Sequence, residues 1–282
     1  MVEQPAQPAL LTVDDYMALP EAPADHRLAY GPGPEQFGDL YLPAGTGPHP
    51  VAIALHGGCW RARYGLEPLG PLCRALAEAG LAVWSVEYRR LGGGGGWPGT
   101  FADVGAAADF LRGAAGQYNL DLSRVISIGH SAGGHLALWL AARHRIDPAS
   151  PLFSAEPLAL RGVVALAGIP DLAEGARRAI CGNACQELVG GPPAALAERY
   201  RAASPNELLP LGVPQHHIVG ADDDTVPPDY LRAYVAAAAR HDPARLEVLP
   251  ATGHFELVAP ASPAWPIVRA AVLGMVGGTP AA

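Results

Sequence analysis

From about residue 50 onward, short uninterrupted apolar runs alternate with Ala/Leu-rich stretches whose apolar positions recur at helical spacing. Val51-Ala52-Ile53-Ala54-Leu55 is entered from Pro50 and stopped by His56-Gly57-Gly58, the pattern of a strand buried on both faces. Similar runs predict strands over 81–86, 124–128, 161–167, 214–219 and 245–249. Helical periodicity predicts helices over 68–80, 100–116, 132–143, 229–240 and 265–276. Gly80 acts as a C-terminal stop for the first, and Val104, Ala107, Ala108 and Leu111 share one face of the second. Strand–helix alternation over most of the chain predicts an α/β fold, a mostly parallel central sheet with helices on both faces. Residues 37–42 are expected to add an antiparallel edge strand. The stretch from about 170 to 205 breaks the rhythm with Gly, Pro and Cys and reads as a lid-like insertion above the sheet. Residues 1–36, Pro-rich and polar, read as an arm on the surface. No linker divides the chain, so a single domain over 1–282 is expected.

Composition narrows the function classes. Half of the 282 residues are hydrophobic and 16% are charged, with a net charge of −8. All 19 basic residues are arginine. This dispersed acidic balance argues against a nucleic-acid or anionic-membrane surface, because both need clustered positive charge. The N-terminal stretch lacks a basic region followed by a long apolar run, and no uncharged apolar window is long enough to span a bilayer. Four cysteines are too few for a disulfide scaffold. The expectation is a cytoplasmic protein with a small-molecule partner, no nucleic acid and no membrane; a homodimer stays open.

The chemistry begins at Gly129-His130-Ser131-Ala132-Gly133, a G-x-S-x-G pattern between a predicted strand and a predicted helix. A strand-to-helix turn this tight leaves no room for Cβ atoms beside the serine, and the glycines remove them. The helix that follows aims its unpaired N–H groups and positive dipole end at the same place. A serine needs a base and an orienting acid to act as a nucleophile near neutrality. Downstream, Asp222-Asp223-Asp224-Thr225-Val226-Pro227 leaves one predicted strand, and Thr252-Gly253-His254-Phe255 leaves the next. Both lie at C-terminal strand ends, where open α/β sheets gather ligands. His254 is therefore the expected base, with one aspartate of the triplet as its orienter. His56-Gly57-Gly58-Cys59-Trp60 follows the first buried strand, the place of an oxyanion-hole loop. Its Gly58 and Cys59 N–H groups, with that of Ala132, are the expected oxyanion donors, and His56 is expected to brace the loop.

HGGCW, GHSAGGH, DDDTVP and TGHF, in this order, resemble the α/β-hydrolase superfamily, in particular hormone-sensitive-lipase-like esterases and the kynurenine formamidase (arylformamidase) group. The resemblance covers about residues 38–276. It implies an α/β-hydrolase fold and carries the family's catalytic acid onto Asp223; Asp222, Asp224 and, more distantly, Asp171 are the alternatives. The activity it implies is that of a serine hydrolase cleaving a small carboxylic ester or activated amide through an acyl-enzyme on Ser131. An arylformamidase acting on N-formylkynurenine is the second reading, a related peptidase a further one, and a catalytically silent binding protein the reading from another class. No metal or organic cofactor is called for.

Other residues carry weaker signals. Trp60, Trp97 and Phe255 flank the motif loops and are expected to line an acyl or aromatic pocket, with ordinary packing the alternative for each. Cys181 and Cys185 lack a second Cys or His pair to complete a zinc site, so free thiols or a local disulfide in the lid are expected. Cys59 is expected to contribute its backbone only, and Cys73 to lie in a helix core. Gly92–Gly96 lacks the Lys-Ser/Thr of a phosphate loop. His135 and the pair His216-His217 are read as structural.

Overall fold

In the computed structural model, which describes residues 9–277, the apolar runs become the centre of one eight-stranded sheet. Its strands are β1 (His26–Ala29), β2 (Phe37–Tyr41), β3 (His49–Leu55), β4 (Ala82–Val86), β5 (Leu120–His130), β6 (Val163–Leu166), β7 (Gln215–Gly220) and β8 (Ala244–Leu249). Their spatial order is β1-β2-β4-β3-β5-β6-β7-β8, with the β1–β2 and β2–β4 pairs antiparallel and all other neighbours parallel. This is the α/β-hydrolase arrangement. Val51 to Leu55 are wholly buried, as a continuous apolar run between two helical layers requires.

The helices are α1 (Val13–Met17), α2 (Gly70–Glu78), α3 (Gly99–Tyr118), α4 (Ala132–Ala142), α5 (Leu172–Arg177), α6 (Ala184–Val189), α7 (Ala197–Ala203), α8 (Pro228–Ala238) and α9 (Trp265–Gly277). Every residue of α4 is buried, so this helix has no solvent face. It lies between the sheet and the insertion at 170–205, which consists of three short helices and no strand. Two side chains of α4 hold the end of that insertion. Trp139 donates its Nε1–H to Ala202 O at 2.9 Å, and His135 donates its Nε2–H to Ala203 O at 2.9 Å.

Three differences from the sequence expectation have physical causes. β5 begins at Leu120, four residues before the predicted strand, where Asp121 and Ser123 bond to each other and a register shift at Pro50/Val51 breaks the ladder. β1 carries no apolar pattern because it is an exposed edge, paired only to β2. The expected surface arm therefore divides. Its second half extends the sheet, α1 covers the site described below, and residues 1–8 lie outside the described residues.

Buried histidines give the fold an acid sensitivity. Burial holds His135 at about 4, against the donor bond to Ala203 O. Burial foremost, then His216, holds His217 at about 3. Both imidazoles are neutral in the fold, so below the unfolded value of 6.5 the unfolded chain binds protons that the fold refuses. Stability from these two groups is full above that value and falls as pH drops toward the folded values. At pH 5 each accounts for a loss of about 2 kcal/mol. Urea unfolding at pH 7 and pH 5 measures this, and equal stabilities would contradict it. Replacing Trp139 by Ala, which empties a buried site and frees Ala202 O, is expected to cost about 3–5 kcal/mol in the same assay.

Candidate active site

The end of β5 sets the site. Ser131 stands between β5 and α4 with φ 54° and ψ −118°, a conformation that a residue with a Cβ adopts only where its surroundings impose it. What imposes it is close approach of backbone. A Cβ on Gly129 would come within 2.1 Å of Gly133 O, and one on Gly133 within 2.0 Å of Leu55 O. Gly134 packs as closely on Gly168, where a Cβ would meet Cα at 2.6 Å. Ser131 N donates to Leu166 O at 2.8 Å, tying the turn to β6.

The loops after β7 and β8 supply the other two groups. His254 Nδ1 donates to Asp223 Oδ2 at 2.7 Å, and both side chains are buried, that of Asp223 completely. Asp223 Oδ1 accepts from Thr225 N at 2.9 Å and Val226 N at 2.8 Å, so every carboxylate oxygen is partnered. Asp222 and Asp224 are exposed, which resolves the triplet in favour of Asp223 as the residue on the histidine. Asp171 is engaged elsewhere, capping α5 through Ala173 N and Glu174 N. Gly220 again permits the approach, since a Cβ there would lie 2.1 Å from Thr252 O. Among the described residues no hydrogen bond joins Ser131 Oγ to His254, a looseness common before substrate binds.

The loop after β3 lies over Ser131. Gly58, Cys59 and Trp60 follow one another with φ of 104°, 53° and 55°. Among the described residues, the N–H groups of Gly58 and Cys59 donate to no protein acceptor. His56 braces this loop by donating from Nδ1 to Gly57 O at 2.9 Å. Its Nε2 meets Glu87 Oε1 at 3.1 Å, and its ring stacks on Tyr88 at 4.4 Å. Burial pushes the Glu87 carboxyl up, but His56, Arg90 and the Tyr88 N–H outweigh it and hold Glu87 below the usual carboxylate range. The brace is thus a buried carboxylate held against the His56 ring.

A cavity of about 500 Å³ opens on this constellation, with Ser131, His254, Gly58, Cys59, His130 and Phe255 in its floor. Its far wall comes from Leu10, Val13, Tyr16 and Met17 of the N-terminal segment. That wall is held by Glu256, which accepts from Leu11 N at 2.5 Å and from Gly253 N at 2.9 Å, beside His254. Tyr16 stacks on Phe255 at 5.4 Å. His130 donates from Nε2 to His254 O at 3.0 Å. Burial, then the His254 ring, holds His130 well below the usual histidine range, so it stays neutral.

The structure brings together Ser131, Asp223, His254, Gly58, Cys59, Ala132 and Phe255. Trp60 and Trp97, expected in the pocket, are not there. Trp60 is wholly buried against the edge of His135, and Trp97 packs on Phe101 and under Arg199. Flanking a motif does not decide which way an indole turns. Cysteine pairing also differs from expectation. Cys181 is bonded to Cys59, across 122 residues of sequence, while Cys185 is a free buried thiol, as is Cys73. Cys59 thus contributes its side chain as well as its backbone. The N-terminal wall was missed, although Thr12-Val13-Asp14-Asp15 carries a readable signal. It is a capping box, with Thr12 Oγ accepting from Asp15 N and Asp15 Oδ2 from Thr12 N.

Comparison with known proteins bears on this geometry. The family model BD-FAE matches residues 38–233. Esterase LipQ of Mycobacterium tuberculosis is 30% identical over 167 residues, 55% of this chain and 39% of that protein. A probable isoprenylcysteine alpha-carbonyl methylesterase ICMEL1 of Arabidopsis thaliana is 32% identical over 112 residues, 39% of this chain and 23% of its own. The chain therefore spans less than half the length of these two relatives. Among solved structures, esterase B from Lactobacillus rhamnosis, inhibited by a C6-C4 SN3 compound, superposes with a TM-score of 0.77 at 22% identity, over 94% of this chain and 90% of that one. A truncated carbohydrate esterase from gut microbiota gives 0.74 at 20% identity, over 92% and 100%. At these identities the structures show a shared fold.

The turn at Ser131 makes a direct prediction. Gly133→Ala forces its Cβ onto Leu55 O and displaces the serine, so phosphonylation of Ser131 by a fluorophosphonate is expected to slow by ~100-fold. Mass spectrometry of the adduct over time measures it, and an unchanged rate would show that the turn tolerates a methyl group.

Proposed function

The chain belongs to the BD-FAE family, and from that premise we propose that it is a serine carboxylesterase acting through Ser131, His254 and Asp223. The observation that carries the reading is the buried His254–Asp223 pair at 2.7 Å, whose His254 shares one cavity with a serine held at positive φ. His254, with Nδ1–H fixed on Asp223, presents Nε2 as a base toward the serine. Ser131 Oγ attacks the ester carbonyl carbon as His254 takes its proton, and the oxyanion is received by the N–H groups of Gly58, Cys59 and Ala132. The imidazolium returns the proton to the leaving alcohol. Water, activated by the same imidazole, then releases the acid from the acyl-serine. The esterase names of the relatives support this reading.

Hydrolysis of N-formylkynurenine is the second reading. A formyl group needs almost no acyl room, whereas the cavity of about 500 Å³ holds a multi-carbon acyl chain against Leu10, Val13 and Met17, which favours the ester. As to compartment, among the described residues no helix is long and apolar enough to cross a membrane. The cytoplasmic expectation has the Cys59–Cys181 bond against it, since such cross-links persist in oxidising surroundings.

Hydrolysis of p-nitrophenyl butyrate beside N-formylkynurenine tests the assignment. The ester is expected to have the higher kcat/KM by at least ~10-fold, about 1.4 kcal/mol in transition-state stabilisation. Ser131→Ala is expected to abolish turnover, and Asp223→Asn to lower kcat by about 10⁴-fold by freeing the wrong tautomer. Full activity of Ser131→Ala would refute the mechanism, and a formamide preference would reverse the choice of substrate.

A further inference from the structure

The oxyanion loop does not hold its shape by its own preferences. Gly58, Cys59 and Trp60 are three successive residues at positive φ, and two of them carry a Cβ. That region is disfavoured for L-residues and persists where neighbours over-determine it. Each end of the loop has such neighbours. His56 is held by Glu87 and Tyr88, and Trp60 is buried, with its carbonyl accepting from Leu91 N at 2.7 Å. Between these anchors, the N–H groups of Gly58 and Cys59 have no protein partner among the described residues, as oxyanion donors require. The middle of the loop is restrained by Arg61 N, which donates to Gly58 O at 2.9 Å and closes the turn over Cys59 and Trp60, and by the Cys59 side chain, joined to Cys181 with Cα atoms 5.7 Å apart.

Cys181 is a firm post. It sits between α5 and α6 in a turn where Ile180 is buried and its N–H donates to Gly175 O at 2.9 Å, while Gly182 N donates to Ala179 O at 2.8 Å. Arg61, two residues after Cys59, pairs with Glu187 of α6, so the insertion meets the loop at a second, half-exposed point. The 170–205 insertion is therefore fastened to the oxyanion loop covalently, and it cannot lift as a free lid while the bond is intact.

We propose that the Cys59–Cys181 disulfide is a positioning cross-link of the oxyanion hole, which holds the Cys59 N–H on the site so that turnover depends on the oxidation state of this pair. The proposal rests on the serine-esterase reading. Reduction by dithiothreitol transfers two electrons and two protons to the S–S bond, leaving two thiols and the cyclic disulfide of the reagent. Cys59 then relaxes toward negative φ and its N–H turns away from the developing oxyanion. Cys73 and Cys185 do not confuse the effect. Burial foremost pushes both thiols up to about 12, which leaves them unreactive as thiolates.

The test is kcat and KM for p-nitrophenyl butyrate on the whole protein, oxidised, reduced by dithiothreitol and reoxidised. Reduction is expected to lower kcat by about 10–100-fold, less than outright loss of a donor, with KM changed by less than ~2-fold. Reoxidation is expected to restore it. Cys181→Ser is expected to start at the reduced value and to ignore the reagent; hydrogen exchange confined to peptides over 56–62 and the turn at 181 shows that the rest of the fold is intact. Should the variant not fold, the reduced and reoxidised wild type carry the test alone. An active enzyme whose kcat is unmoved by complete reduction overturns this proposal and leaves the esterase reading standing. An oxidised enzyme that neither turns over the ester nor takes a fluorophosphonate on Ser131 overturns both.

Discussion

The structure depends on one backbone constraint, the turn that carries Ser131 from β5 into α4 at φ 54° and ψ −118°. Nothing with a side chain fits at Gly129 or Gly133, because backbone carbonyls occupy the space. The central strands β3, β5 and β6 are placed so that their C-terminal ends meet around this turn: β3 delivers the HGGCW loop above it, and β6 accepts its N–H. Strain at that point is balanced by a fully buried helix and a sheet core whose members are almost all below one-tenth exposed.

The same logic recurs around the site. The loops that bear Asp223, His254 and the proposed oxyanion donors each leave the carboxyl end of a parallel strand, where a sheet of this topology opens its crevice. Each loop is then fixed from behind by a buried polar group: Glu87 behind His56, Glu256 behind Gly253, and the amides of Thr225 and Val226 behind Asp223. Of the two segments that sequence leaves outside the sheet, the N-terminal stretch walls the cavity, and the insertion reaches the loop over Ser131. The first is held by the bond from Leu11 N to Glu256, the second by the disulfide to Cys59 of the HGGCW loop.

How far this was legible in the sequence follows from where information is local. The central strands, buried on both faces, betray themselves as uninterrupted apolar runs, and G-x-S-x-G marks the strained turn because the requirement for glycine is local. The choice of Asp223 within its triplet rested on a family pattern, since neighbouring aspartates differ only in which way the loop turns them. β1 was invisible because an exposed edge strand needs no apolar periodicity. Trp60 and Trp97 were misplaced, and the partner of Cys181 was missed, for a common reason. Side-chain direction and long-range pairing are decided by tertiary packing, and sequence distance carries no record of it.

Catalysis by this arrangement requires that these loops converge on a single tetrahedral centre. A crystal structure of the protein treated with a fluorophosphonate measures that most directly. The adduct is predicted on Ser131 Oγ, its phosphoryl oxygen about 2.7–3.1 Å from the N atoms of Gly58, Cys59 and Ala132, with His254 Nε2 facing the oxygen of the leaving side. A phosphoryl oxygen turned away from the HGGCW loop, or an adduct on any other residue, would contradict it.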